Sequence, residues 1–350
     1  MQTKISPLTR CSILAACAVA LVVCSTGCKK YPNSDRLVNA AWVKNLIDTN
    51  NDGKPYVIAE VGWGGPKNYD KGHIPGAIHI NTDEVQYDYF EARSSGSIER
   101  STTQEEDAAK GLGPDDTLPQ NYWNLYPDQY LLPAIAYMGI DINTTVVLYG
   151  KSTSGVTYVI WALMYAGVKD VRMMEGGFDA WIREGYDNST ETVARTPVAD
   201  FGTDTPLHPE YLSSSAYVRE VVNGEHPGAI LADIREYDEY VGKIAPYSYI
   251  PASGRIKGAV WGHDSEDLFD SEGNLKSLSE IESMWKEDGF TRKNAVAFYC
   301  GDGWRSSLAW FMAYRMGWKN ITNFDDCWYV WSMGPDAAIN PIEDDYPDLP

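Results

Sequence analysis

Short apolar runs and helically spaced stretches alternate through most of this chain. Residues 146–149 and 295–299 are apolar, rich in β-formers and bounded by turn residues, which predicts buried strands. Residues 157–165 and 306–316 have helical spacing and run into Gly167 and Gly317, a residue suited to closing a helix. Strand, loop, helix and strand in that order predict an α/β fold with a mainly parallel sheet flanked by helices.

The pattern occurs twice. Tyr149-Gly150, Glu175-Gly176-Gly177 and Trp181 return as Tyr299-Cys300, Asp325-Asp326-Cys327 and Trp331, each 150 positions later. Gly167 and Lys169 return as Gly317 and Lys319 at the same offset. Upstream, Val57-Ile58-Ala59-Glu60-Val61 is mirrored by Ile230-Leu231-Ala232-Asp233-Ile234, and Gly72-His73-Ile74-Pro75-Gly76-Ala77 by Gly254-Arg255-Ile256-Lys257-Gly258-Ala259. Repetition on this scale predicts two copies of one domain, over residues 37–190 and 205–335. A Thr-, Asp- and Pro-rich connection spans about 186–206, and residues 336–350 read as a tail. The first copy carries a polar insert, about residues 91–120, which reads as a surface loop or lid.

Composition narrows the class. With 350 residues, 44% hydrophobic and 22% charged, the chain has material for two packed cores. Its 12 Trp and 23 Tyr put much of the packing on aromatics. The formal charge of −20 excludes nucleic acid as a partner, because phosphate is repelled. It leaves small anions admissible, since local donors outweigh a distant field.

Residues 1–27 read as a signal peptide: Lys4 and Arg10 precede an apolar run over residues 12–23 that is short for a membrane span. The ending Ser25-Thr26-Gly27-Cys28 resembles a bacterial lipobox, with Ser25 where Leu is usual. That resemblance implies lipidation at Cys28, a tether over 28–36, and a bacterial cell-envelope location. Lys29 resembles the outer-membrane pattern. Plain secretion is the other reading. Cleavage removes Cys11, Cys17 and Cys24 and leaves Cys28, Cys300 and Cys327, too few for a disulfide scaffold. No Cys-x-x-Cys pair exists, so no structural zinc or other metal is expected.

The sharpest chemical signal is Cys300-Gly301-Asp302-Gly303-Trp304-Arg305-Ser306, directly after a predicted strand and opening a predicted helix. Glycines let successive amides turn inward as an anion nest. The helix start adds partial positive charge, and Arg305 a full one. All three favour a thiolate.

These segments, with Gly72 to Ala77 (GHIPGA), resemble rhodanese domains. Over about residues 37–335 the chain is similar to tandem-domain thiosulfate or 3-mercaptopyruvate sulfurtransferases. The resemblance implies Cys300 as the persulfide-forming catalytic residue. It implies Gly301, Asp302, Gly303, Trp304 and Arg305 as its cradle, and Arg235 and Arg255 as holders of a small anionic sulfur donor. A thiol or cyanide is the implied acceptor, and no cofactor is needed. Gly150 opens the matching loop of the first copy, so that copy is silent. Lys257 and Cys327 depart from the family pattern of Pro and Gly, and Asp302 stands where mercaptopyruvate enzymes have Ser or Thr. Salt-bridging to Asp238 or Glu239 is the bland alternative for Arg235. Cys327 is open between a small core residue and a resolving thiol for Cys300. His73 reads as a turn residue, and Asp48 to Gly53 as a turn, because Ala59 stands at the twelfth position of a calcium loop. A cysteine phosphatase places five residues between nucleophile and arginine; here there are four, from Gly301 to Trp304. The rival functional class is a non-catalytic accessory subunit of a cell-surface complex.

Overall fold

The computed structural model describes residues 30–88 and 122–343. The leader, Cys28, the insert and residues 344–350 lie outside them. In the first copy the elements run β1 (Leu37–Val38), α1 (Ala40–Thr49), β2 (Tyr56–Gly62), β3 (Ile78–Asn81), β4 (Gln86–Asp88), β5 (Tyr122–Leu125), α2 (Asp128–Tyr137), β6 (Thr145–Gly150), α3 (Thr153–Ala166), β7 (Asp170–Met174) and α4 (Gly177–Arg183). Strands β1-β7-β6-β2-β3 form one sheet in that order, parallel throughout. The short ribbon β4–β5 is antiparallel.

The second copy runs α5 (Ser215–Val222), β8 (Ile230–Asp233), α6 (Tyr237–Tyr240), β9 (Arg255–Ile256), β10 (Val260–Trp261), α7 (Leu278–Glu287), β11 (Val296–Tyr299), α8 (Trp304–Arg315), β12 (Ile321–Asn323), α9 (Cys327–Met333) and β13 (Ile342–Glu343). Its sheet, β10-β8-β11-β12, repeats the first topology. Where the first copy adds β1, the second has a single bridge, Leu212 to Asn323. The same side-chain contact recurs as well: the Ile74 amide donates to the Tyr149 hydroxyl at 3.0 Å, and the Ile256 amide to the Tyr299 hydroxyl at 3.4 Å.

Central strands buried on both faces show no polar alternation, and β11 is buried at every position. Helix α3 is capped by the Ser152 hydroxyl, which accepts from the Gly155 amide at 3.2 Å, and closes at Gly167 (φ 120°). Every residue from Gly155 to Ala166 is buried. A helix apolar all round needs cover on every side, and α8 supplies it. The Thr157 and Ser307 hydroxyls meet at 3.0 Å. These are equivalent positions of the two copies, so their contact marks a pseudo-twofold axis.

Three sequence readings change. Residues 31–36 are docked rather than a free tether: the Tyr31 hydroxyl donates to Glu282 and the Asn33 amide to the Tyr314 carbonyl, both in copy two, while Arg36 pairs with Asp170 in copy one. The tail is partly structural, since β13 pairs antiparallel with β9. The connection over 186–206 lies against copy one, where Arg195 pairs with Glu84 and Phe201 is buried. The turn readings hold. Asn50 and Asn51 take positive φ just after α1, and buried His73 has both ring nitrogens against backbone carbonyls, of Tyr69 and Glu191. No helix among the described residues is long and apolar enough to cross a membrane.

Candidate active site

Strand β11 delivers Cys300 to the end of the sheet, and α8 leaves from Gly303, which adopts φ 104°. Both glycines of the loop are dictated by space. A Cβ at Gly301 would fall 2.6 Å from the Tyr247 ring, and one at Gly303 2.5 Å from Asp325 Oδ1. The turn aims the Gly303 amide at the Cys300 sulfur, at 3.2 Å.

The thiol is fully buried, and burial works against its charged form. The Cys327 thiol, the Arg305 guanidinium and the Ser306 amide outweigh both burial and the Asp302 carboxylate, so the Cys300 thiol comes down to about 7. Arg305 is fixed by Glu239, at 2.6 and 3.1 Å, and stacks its guanidinium 5.3 Å from the centre of the Tyr247 ring. Burial pushes the Asp302 carboxyl up, although the Tyr249 hydroxyl donates to it at 2.8 Å. Tyr247 and Tyr249 stack on one another, 5.0 Å between centres.

A cavity of about 550 Å³ opens beside the loop. Asp302, Trp304, Arg305 and Tyr247 form one wall; Trp63 and Trp123 of copy one form another. Cys300 is not among the lining residues, so the sulfur lies behind this wall. Trp304 crosses between the copies, donating from its indole nitrogen to Gln86 at 2.7 Å. Next to the loop, Asp325 accepts from the Leu125 amide at 2.6 Å and the Tyr158 hydroxyl at 3.2 Å. Its burial pushes the carboxyl up to about 8. A second cavity, about 590 Å³, lies at the matching end of copy one, lined by Gly150, Lys151, Gly176 and Gly177, with no cysteine in its lining.

Cys327 is as buried as Cys300, and both are free. Its sulfur lies 4.0 Å from the Cys300 sulfur, accepts from the Cys300 amide at 3.2 Å and donates to the Phe324 carbonyl at 3.0 Å. Its φ is 50°; the equivalent Gly177 has φ 56°. A side chain in this left-handed region costs ~1–2 kcal/mol, which glycine avoids.

Two expectations do not survive. Arg235 does not hold a donor: it is fully buried, doubly bonded to Asp233 at 2.8 and 2.6 Å and to the Gly254 carbonyl, beneath Trp328. Losing one partner of such a pair costs ~3–5 kcal/mol, so the arginine belongs to the fold. Its partner is Asp233, not Asp238 or Glu239. Arg255 pairs with Glu343 at 2.7 Å over the Tyr240 ring, and neither arginine lines the cavity. Arg305, Gly301, Asp302, Gly303 and Trp304 do gather around Cys300. Sequence reasoning missed Glu239, Tyr247, Tyr249, Asp325 and the copy-one tryptophans. None is in the loop itself; the repeat sets Asp325 opposite Glu175, and Glu239 was in view only as a partner for Arg235, whereas it holds Arg305.

A duplicated parallel α/β scaffold presents Cys300 at a strand end, directly before a helix start, with Cys327 beside it. Residues 39–184 and 217–333 match the Rhodanese-like domain, so the chain belongs to the rhodanese family of sulfurtransferases. It is 32% identical to thiosulfate sulfurtransferase YnjE of Escherichia coli, over 90% of this chain and 66% of YnjE. It thus spans just under two thirds of that relative's length. A putative thiosulfate sulfurtransferase of Haloferax volcanii is 28% identical, over 85% of this chain and 93% of its own. The crystal structure of YnjE superposes with a TM-score of 0.73, covering 89% of this chain and 69% of the other. A structure of EanB with ergothioneine covalently linked to a persulfide cysteine gives 0.73 at 29% identity, covering 88% and 70%.

Proposed function

We propose that this chain moves sulfane sulfur through a persulfide on Cys300. The thiolate attacks the outer sulfur of thiosulfate and sulfite leaves; with 3-mercaptopyruvate, pyruvate leaves. A thiol or cyanide then takes the sulfur from Cys300 in a second, separate displacement. The Gly303 amide and the Arg305 charge face negative sulfur in both steps. The observation that carries this reading is a thiol that, against burial, is brought down to about 7 by Cys327, Arg305 and the Ser306 amide, with the Gly303 amide 3.2 Å from its sulfur. The thiosulfate sulfurtransferase names of YnjE and the Haloferax relative, and the persulfide of EanB, support it. A non-catalytic scaffold has no use for such a thiol, which weighs against the accessory-subunit reading. Cys300→Ser is expected to abolish thiosulfate-to-cyanide transfer and the gain of one sulfur's mass expected of the parent chain. Full transfer by that variant overturns the proposal.

A further inference from the structure

We propose that Cys327 is the chain's own sulfur acceptor: its thiol attacks Cys300 once that residue carries sulfur, expels hydrosulfide and leaves a Cys300–Cys327 disulfide. This rests on the persulfide reading above and adds a second activity to it, reductive release of sulfide.

Position 327 is where a cysteine is hardest to explain as packing. The backbone there is left-handed in both copies, φ 50° at Cys327 and 56° at Gly177. Glycine meets that geometry without strain and stands in the silent copy. A side chain at this place points to the strand end: a Cβ built on Gly177 would lie 3.0 Å from the Gly150 carbonyl oxygen. In one copy, then, glycine faces glycine; in the other, cysteine faces cysteine, with sulfurs 4.0 Å apart. The chain has both sulfurs in one copy and neither in the other.

Access gives an independent argument. Cys300 does not line the cavity, and Tyr247 lies across Gly301. An external thiol has that wall to pass, whereas the Cys327 thiol is already inside it. The Cys327 sulfur lies 3.0 Å from the Phe324 carbonyl and 4.0 Å from the Cys300 sulfur, so a thiol proton there has an acceptor to rest on and the departing group within reach.

The step balances. Cys300 persulfide anion and Cys327 thiol give the disulfide and hydrosulfide. The bond between Cys300 and the outer sulfur breaks, and a Cys327–Cys300 bond forms. The outer sulfur gains two electrons, one from each cysteine sulfur, and takes the Cys327 proton. An external dithiol resets the pair.

The test uses the whole reduced chain with thiosulfate, without cyanide or added thiol and without oxygen. The parent chain is expected to release sulfite and then hydrosulfide, one of each per chain, to weigh two hydrogens less, and to yield a Cys300–Cys327 linked peptide. Cys327→Ser, which keeps a hydroxyl beside Cys300, and Cys327→Gly, which suits the backbone, are expected to load more slowly, because they alter the contact that lowers the Cys300 thiol, but at completion to have released sulfite and kept one added sulfur, with hydrosulfide at background. Parent-level hydrosulfide from either variant overturns the inference, as does a parent chain that holds its persulfide unlinked. If no form gains sulfur on Cys300, the persulfide reading falls, and this inference with it.

Discussion

At Cys300 opposing influences differ by a small margin. Moving a thiol from 9.0 to about 7 against full burial corresponds to about 3 kcal/mol in favour of the thiolate. Iodoacetamide labelling of Cys300 should therefore climb through a midpoint near pH 7, where an unperturbed thiol at 9.0 climbs about 2 units higher. Arg305→Met should push that midpoint up by roughly one unit, because the favourable charge is gone. A pH–rate profile that stays put would show that the amide and Cys327 suffice without the arginine. Arg305 is legible in the sequence because it follows the cysteine within one short loop. Its anchor is not, since Glu239 lies 66 positions upstream and no periodicity joins them. Arg235 misleads for the opposite reason. An arginine two residues after a strand-end aspartate looks available, and only the fold shows the aspartate curling round to neutralise it.

Among elements, the segment between α6 and β9 governs access. It has no regular helix or strand there, and it brings the stacked Tyr247 and Tyr249 over the loop. Alanine at Tyr247 should speed alkylation of Cys300 by about tenfold at a pH where the thiol is fully ionised. Since Tyr247 is only part-buried, the variant should lose less stability than the ~3–5 kcal/mol of a fully buried aromatic. Unchanged labelling in a folded variant would place the barrier elsewhere. The main strands and helices were readable from hydrophobic runs and glycine stops; β6, β11, α3 and α8 fall within a few residues of the expected bounds. This segment was not readable, because a covering loop has no periodic pattern. Residues 31–36 and β13 were misread similarly: polar ends look solvated until a partner surface is known.

Over the whole molecule, the two copies share one polar seam at the reactive loop. Asp325 is its centre, bonded to Leu125 and Tyr158 of the other copy. Its carboxyl is raised from 3.8 to about 8, so between those values the folded chain holds a proton that the unfolded chain has lost. Stability from this group is complete below the unfolded value and drains away as pH rises to about 8. Asp325→Asn lacks that drain. Its melting temperature relative to the parent should rise steadily between roughly pH 4 and pH 8 and level off above that. A difference that is flat with pH would mean that Asp325 keeps its charge in the fold. The duplication itself was legible from the constant 150-residue offset, and so was the glycine that stands in the first loop where the second has Cys300. That the copies would meet at Thr157 and Ser307 was not, for spacing within each half says nothing about which faces touch.

Trp304 leans on Gly155, where an added Cβ would fall 3.2 Å from its ring. The loop without a cysteine is thus architecture for the loop that carries one: a bulkier residue at position 155 of the first half would press on Trp304 of the second, so what the one loop can hold is limited by its twin.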